Sequence, residues 1–154
     1  MILVTLGTQK QEFTRLLDYI EKSNIKDKII VQAGHTKYKS KKMKIFDFID
    51  YDKMNEYIQK SDLIITHGGT GSIITPLKDG KRVIACARLS KYNEHVDDHQ
   101  NEIVDVFYDE GYILKLDENT KLNDILKDIK KFKPKTFISN TDNFIKKLEN
   151  KINN

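Results

Sequence analysis

A chain of 154 residues is long enough for one domain and short for two, since domains usually run about 100–200 residues. Its 38% hydrophobic and 32% charged residues exclude a disordered or membrane-embedded chain, and a net charge of 27 − 23 = +4 is far from the dense basic stripe of a nucleic-acid binder. One cysteine, Cys86, excludes an internal disulfide and fits a reducing compartment, and no apolar run approaches the ~18 residues of a membrane span.

The chain opens on the apolar run Met1 to Leu6 with no basic flank, which reads as a strand and not a signal peptide. Gly7-Thr8 closes it, and the segment from Gln11 sets Phe13, Leu16, Leu17 and Ile20 at helical spacing. Further strands are expected at Lys28 to Ala33, Met43 to Ile49, Asp62 to Thr66, Arg82 to Ala87 and Tyr112 to Leu116. Helices are expected from about Lys53 to Ser61, after the turn His67-Gly68-Gly69-Thr70-Gly71-Ser72 to about Asp79, and around Ile103, Val106 and Phe107. Two more, Leu122 to Lys131 and Asp142 to Ile152, follow. Strands alternating with helices on short connections predict an α/β domain, a doubly wound parallel sheet of Rossmann-like type. Ligands in such sheets bind at the carboxyl ends of the strands.

Two segments fall there. The turn Gly68 to Ser72 follows an apolar strand and opens a helix, so backbone N–H groups and the helix dipole offer a seat for a diphosphate; a tight turn that binds nothing is the alternative. No Gly-Lys-Ser/Thr follows it, and Gly7-Thr8-Gln9-Lys10 lacks the Gly-x-Gly-x-x-Gly of dinucleotide folds. The polar stretch Arg88 to Gln100 brings hydrogen-bonding side chains to the same edge, or is simply solvated. His95 and His99 with Asp97 and Asp98 lack the His-Glu-x-x-His pattern and a third ligand. Asp50-Tyr51-Asp52 precedes a helix, where Asp52 fits an N-cap better than a metal ligand. No metal and no cofactor are expected.

Thr66-His67-Gly68-Gly69-Thr70-Gly71-Ser72, Glu94-His95-Val96-Asp97-Asp98-His99-Gln100, Gly111-Tyr112 and the opening Val4-Thr5-Leu6-Gly7-Thr8-Gln9 together resemble the donor-binding C-terminal half of GT-B glycosyltransferases that build lipid-linked sugars. The likeness extends to the small subunits of bacterial two-part capsule and exopolysaccharide transferases and of the eukaryotic dolichol-linked GlcNAc transferase. It implies one half of a GT-B fold, acting as the donor subunit of an inverting, metal-independent UDP-hexose or UDP-hexuronate transferase on a polyprenyl-diphosphate-linked acceptor. A non-catalytic sugar-nucleotide-binding module is the alternative. The resemblance further implies that Gly68, Gly69, Thr70, Gly71 and Ser72 hold the UDP diphosphate, with Gly7, Thr8 and His67 beside them. Ile49 would meet uracil through its backbone, and Gln100 would bind sugar hydroxyls, with Asp98, His99 and Asn101 nearby. Where many relatives carry a ribose-binding glutamate this chain has Thr75, and Glu94 is a candidate substitute. A complete GT-B enzyme needs two such domains, so a separate membrane-anchored, acceptor-binding subunit is implied as partner. The catalytic base is expected on that subunit, His67 being the candidate on this chain. The chain would then be cytoplasmic, held at the inner face of the plasma membrane through its partner. Two further expectations concern surfaces. Lys37, Lys39, Lys41, Lys42 and Lys44 form a basic stretch, solvated or drawn to anionic lipid. The stripe Phe144, Ile145, Leu148 and Ile152 on the last helix covers this domain's own sheet or docks the partner.

Overall fold

The computed structural model describes residues 1–138 and the helix 142–153. Six parallel strands form one sheet, in the order β3-β2-β1-β4-β5-β6. They are β1 (Ile2–Thr5), β2 (Ile29–Gln32), β3 (Met43–Phe46), β4 (Leu63–His67), β5 (Arg82–Cys86) and β6 (Leu114–Lys115). The helices are α1 (Thr14–Glu21), α2 (Tyr51–Lys60), α3 (Thr70–Lys78), α4 (His99–Asp109), α5 (Leu122–Lys131) and α6 (Asp142–Asn153), with a short 3-10 turn at Ser90–Tyr92.

The pleat sorts the strand residues into two core layers. On one face Val4, Ile65 and Ile84 meet Leu16, Leu17 and Ile20 of α1 and Leu122, Ile125 and Ile129 of α5. On the other, Leu3, Ile64 and Val83 meet Ile58 of α2, Ile73 and Leu77 of α3 and Phe107 of α4. A sheet covered on both faces requires strands without a polar side, and β1, β2 and β4 are buried at every residue.

The differences from the expected elements are local. β3 ends at Phe46, short of Ile49, because the chain then turns into α2, which starts at Tyr51. The N-cap of that helix is Asp50 and not Asp52: Asp50 Oδ1 accepts the Lys53 N–H at 2.8 Å. β6 pairs over two residues only, and His67 closes β4 instead of opening the turn.

The last helix is covered at Phe144 and Leu148, both buried on this domain. Phe144 joins Phe107, Tyr112 and Phe137 in an aromatic cluster, its ring 4.9 Å from Phe107 and 5.2 Å from Tyr112. Two such side chains, at about 1.5–3 kcal/mol each, tie this face of α6 to its own domain. The side chains of Ile145 and Ile152 lie outside the described residues. Of the basic stretch, Lys37 approaches Asp47 at 3.7 Å, Lys42 reaches the Ser23 carbonyl and Lys44 sits over the Phe46 ring.

Candidate functional site

Strand order reverses direction between β1 and β4, and the crevice beyond their carboxyl ends is where a doubly wound sheet binds ligands. A cleft of ≈ 300 Å³ opens there. Its floor is Leu3, Thr5 and Ile64 of the strands, one wall is α2 with Met54, Asn55 and Ile58, and the other is α3 with Gly71, Ser72 and Thr75. Gly7, Thr8, Phe48 and Ile49 complete the mouth. Among the described residues, no carboxylate or ammonium lines it.

The amino end of α3 carries no side-chain cap and no acidic residue in its first turn; the first intrahelical bond runs from Ile73 N–H to the Gly69 carbonyl. The N–H groups before it are therefore open to a ligand. A Cβ at Gly71 would meet nothing within 4 Å, so this glycine opens the helix end onto free space. Gly69 and Gly7 serve a different need. A Cβ at Gly69 would come within 2.4 Å of the His67 ring, and one at Gly7 within 2.5 Å, while Gly7 also holds φ +78. Gly68 has its backbone under Gln100, whose Cβ would lie 2.8 Å from an added methyl.

Gln100 is 5% exposed and its amide is nearly all engaged. Oε1 accepts the Gly68 N–H at 3.0 Å and the Arg88 N–H at 3.1 Å, and Nε2 lies 3.1 Å from His67 Nδ1. One amide hydrogen is left for a ligand. His67 Nε2 is in turn 3.0 Å from Ser72 Oγ. Burial, reinforced by the Arg88 guanidinium, pulls the His67 pKa from its ordinary 6.5 down to about 4. The ring is neutral at physiological pH and its basic nitrogen faces an amide donor, so His67 is not set up as the general base the resemblance left open.

Glu94 lies elsewhere. It is 3% exposed, its Oε1 and Oε2 accept from Arg15 Nη2 and Nε at 2.8 and 3.0 Å, and Oε1 also takes the Leu89 N–H at 3.0 Å. With both oxygens held and the cleft formed by other residues, it is no stand-in for the missing ribose carboxylate. Asp98 binds Ser90 N and Oγ at 2.9 and 3.0 Å. Asp97 sits between His95 Nδ1 at 3.1 Å and His99 Nδ1 at 3.5 Å. Asn101 faces a separate small hollow beside Leu89 and Leu116. Among the described residues, no group of three His, Cys, Asp or Glu is placed to hold a metal ion.

Three supports were not legible as such. Arg88 is fully buried, and its guanidinium donates to the carbonyls of Leu6 (2.7 Å), Gln11 (2.7 Å) and Glu94 (2.9 Å), stacked over Phe13. Burial lowers its pKa to about 10, so it keeps its charge. Arg15 ties Glu94 to the Ala87 carbonyl at 2.9 Å. Gln32 grips Gly7 from both sides, accepting its N–H at 3.1 Å and donating to its carbonyl at 3.0 Å. The only sequence signal was an arginine directly after an apolar strand.

Residues 1–153 match the model of the glycosyltransferase family 28 C-terminal domain. Among curated relatives, the "UDP-N-acetylglucosamine transferase subunit ALG13" of Saccharomyces cerevisiae is 40% identical over 73 residues, 47% of this chain and 34% of that protein. The Candida albicans protein of the same name is 34% identical over 96 residues, 59% of this chain and 31% of that one. The matches thus span about a third of those relatives' length. An NMR solution structure of ALG13 superposes with TM-score 0.61 at 21% identity, covering 99% of this chain and 96% of that one. Acinetobacter baumannii MurG superposes with TM-score 0.54 at 17% identity, covering 82% of this chain and 40% of that one. The fold is therefore Rossmann-like, as in one domain of a GT-B fold, and the chain belongs to the glycosyltransferase family 28 C-terminal domain family.

Proposed function

We propose that the chain is the donor-binding half of a glycosyltransferase and holds a UDP-sugar in the cleft between α2 and α3. The observation that carries this reading is the uncapped amino end of α3, which opens through Gly71 into a cleft with apolar walls at the sheet's switch point. Backbone N–H groups and the helix dipole stabilise a diphosphate there and, as it departs, the UDP leaving group, without a metal. Uracil lies on the apolar wall of Met54 and Ile58, its polar edge toward the Ile49 backbone, and Thr75 offers a hydroxyl toward ribose. The relatives' name makes N-acetylglucosamine the favoured sugar over a hexuronate. A capsule or exopolysaccharide setting has no counterpart in that name, and the reading stops at a lipid-linked acceptor.

The base is read as lying on another chain, because the described cleft lining holds no carboxylate and the basic nitrogen of His67 is engaged; an inverting transfer is carried over from the resemblance alone. Among the described residues, four of the six exposed large hydrophobic side chains stand at this carboxyl edge: Phe48, Tyr51, Tyr92 and Val96, with Tyr51 80% and Val96 78% exposed. They fit a second, membrane-anchored subunit that closes the cleft and presents the acceptor. No described helix is long and apolar enough to cross a membrane, and membrane attachment is assigned to that partner.

Calorimetric titration tests the site. UDP and UDP-N-acetylglucosamine bind the wild-type chain, NAD and FMN do not, and Gly71→Asp abolishes binding by like charge and bulk while leaving the fold intact. Undiminished UDP affinity in folded Gly71→Asp removes the cleft from the reading. Sugar transfer to a lipid-linked acceptor by the chain alone removes the partner.

A further inference from the structure

We propose that Gln100 and His67 form a polarity relay that fixes the direction of the Ser72 hydroxyl, making it a dedicated hydrogen-bond donor toward the diphosphate; this rests on the donor-site reading above. Each link is forced by the one before. Gln100 Oε1 takes two backbone N–H groups, Gly68 at 3.0 Å and Arg88 at 3.1 Å. Only the oxygen of a side-chain amide accepts, so the amide cannot be turned round. Its nitrogen, a donor only, therefore faces His67 Nδ1 at 3.1 Å. Nδ1 has to accept, and the neutral ring carries its hydrogen on Nε2. That hydrogen points at Ser72 Oγ, 3.0 Å away. With its oxygen already accepting, the hydroxyl must send its own hydrogen elsewhere, and Ser72 lines the cleft beside the open N–H groups of α3.

The consequence is that Ser72 adds a side-chain donor to the open N–H groups of α3. A serine in the first turn of a helix is ordinarily free to rotate, and its hydroxyl can turn back onto a nearby backbone carbonyl. Here the bond from the ring closes one of the hydroxyl's directions from behind and biases its hydrogen toward the cleft, so less reorganisation is needed when an anion arrives. Burial keeps the ring neutral, and Gly7 and Gly69 pack against it so closely that neither tolerates a Cβ. Gly69, together with Gly68 beneath Gln100, belongs to the relay, Gly7 serves both the relay and the cleft mouth, and Gly71 belongs to the ligand space. Gln100 and His67 are thus positioning residues.

The test has two arms. Nitrogen-15 NMR of the imidazoles in the wild-type chain at neutral pH reads the tautomer directly, and the expected result for His67 is a neutral ring protonated on Nε2. In the second arm UDP and uridine are titrated into wild type, Ser72→Ala, His67→Leu, His67→Gln and the double variant Ser72→Ala/His67→Leu, with circular dichroism as the check on folding. UDP affinity is expected to fall about tenfold to a hundredfold in Ser72→Ala and in His67→Leu, as for loss of one charge-assisted hydrogen bond. The double variant loses no more than either single one, and His67→Gln, which keeps a donor aimed at Ser72, recovers most of the loss. Uridine binding stays unchanged throughout. A hydrogen on Nδ1 overturns the relay whatever binds. So do multiplicative losses in the double variant, or unchanged UDP affinity in folded His67→Leu. Failure of the wild type to bind either UDP or uridine, with the Nε2–H tautomer present, fells the donor-site reading and the diphosphate role with it but leaves the hydroxyl's fixed direction standing.

Discussion

The two sides of the sheet's carboxyl edge use their polar groups in opposite ways. Beyond β5, the loop from Arg88 to Asp98 and the start of α4 are rich in charged and amide side chains, and these bind one another or nearby backbone: Glu94 to Arg15, Asp98 to Ser90, Gln100 to Gly68 and Arg88. Between α2 and α3 the residues are chemically plain, yet the N–H groups at the start of α3 and the space above Gly71 are open. Side-chain chemistry builds the frame, and backbone offers the site. A ligand that carries its own negative charge needs donors held still, and a frame of saturated hydrogen bonds holds them better than mobile lysines would.

The strongest way to break this contrast is Glu94→Ala. Removing one partner of a buried ion pair leaves Arg15 uncompensated, and urea denaturation is expected to show a loss of about 3–5 kcal/mol. Unchanged stability with weakened UDP binding would move Glu94 back to the ligand. Gln100→Leu comes next: it orphans the Gly68 and Arg88 N–H groups at about 1–3 kcal/mol each. Because the turn itself loosens, affinities for UDP and for UDP-N-acetylglucosamine fall together, whereas a loss confined to the sugar nucleotide would mark Gln100 as chiefly a sugar contact.

A third measurement is the pH dependence of stability. Between pH 6.5 and about 4 the unfolded chain binds a proton at His67 that the folded chain refuses, so stability declines as pH falls through that window. The full decline is about 3 kcal/mol from this group, and His67→Gln loses that share, so its stability falls less steeply than the wild type's between pH 6.5 and 5. The smallest effect sharpens the other side of the comparison. Gly71→Asp changes stability by less than about 0.5 kcal/mol, since nothing occupies the space and an acid near a helix amino end is tolerated. Gly69→Ala, by contrast, drives a methyl against the buried His67 ring and destabilises measurably.

The fold was legible because its signals are local. Apolar runs such as Leu63 to Ile65 and the helical spacing of Leu122, Ile125 and Ile129 follow from chain periodicity alone, and their positions agree with the structure to within a few residues. The site was legible only in part. Gly7, Thr8, Ile49, Gly71 and Ser72 do line one cleft, but spacing does not reveal what a polar side chain already binds. Gln100 and Glu94 entered as ligand groups through the resemblance, which carries over a residue's type but not what it binds in this fold, and those partners lie far off along the chain: Arg15 for Glu94, Gly68 and His67 for Gln100. Arg88 was hidden for the same reason, since its acceptors are main-chain carbonyls that any sequence would supply.

The aromatic cluster beneath α6 bears on how the polypeptide is made. Phe107 and Tyr112 are covered by Phe144, which leaves the ribosome well after them. Until that late segment emerges, one layer of the core stays open to solvent and presents two aromatic rings to whatever surrounds the nascent chain. This face therefore cannot close until α6 has been made and has emerged, and a nascent chain stalled short of residue 142 leaves it open to solvent, as chaperones would meet it.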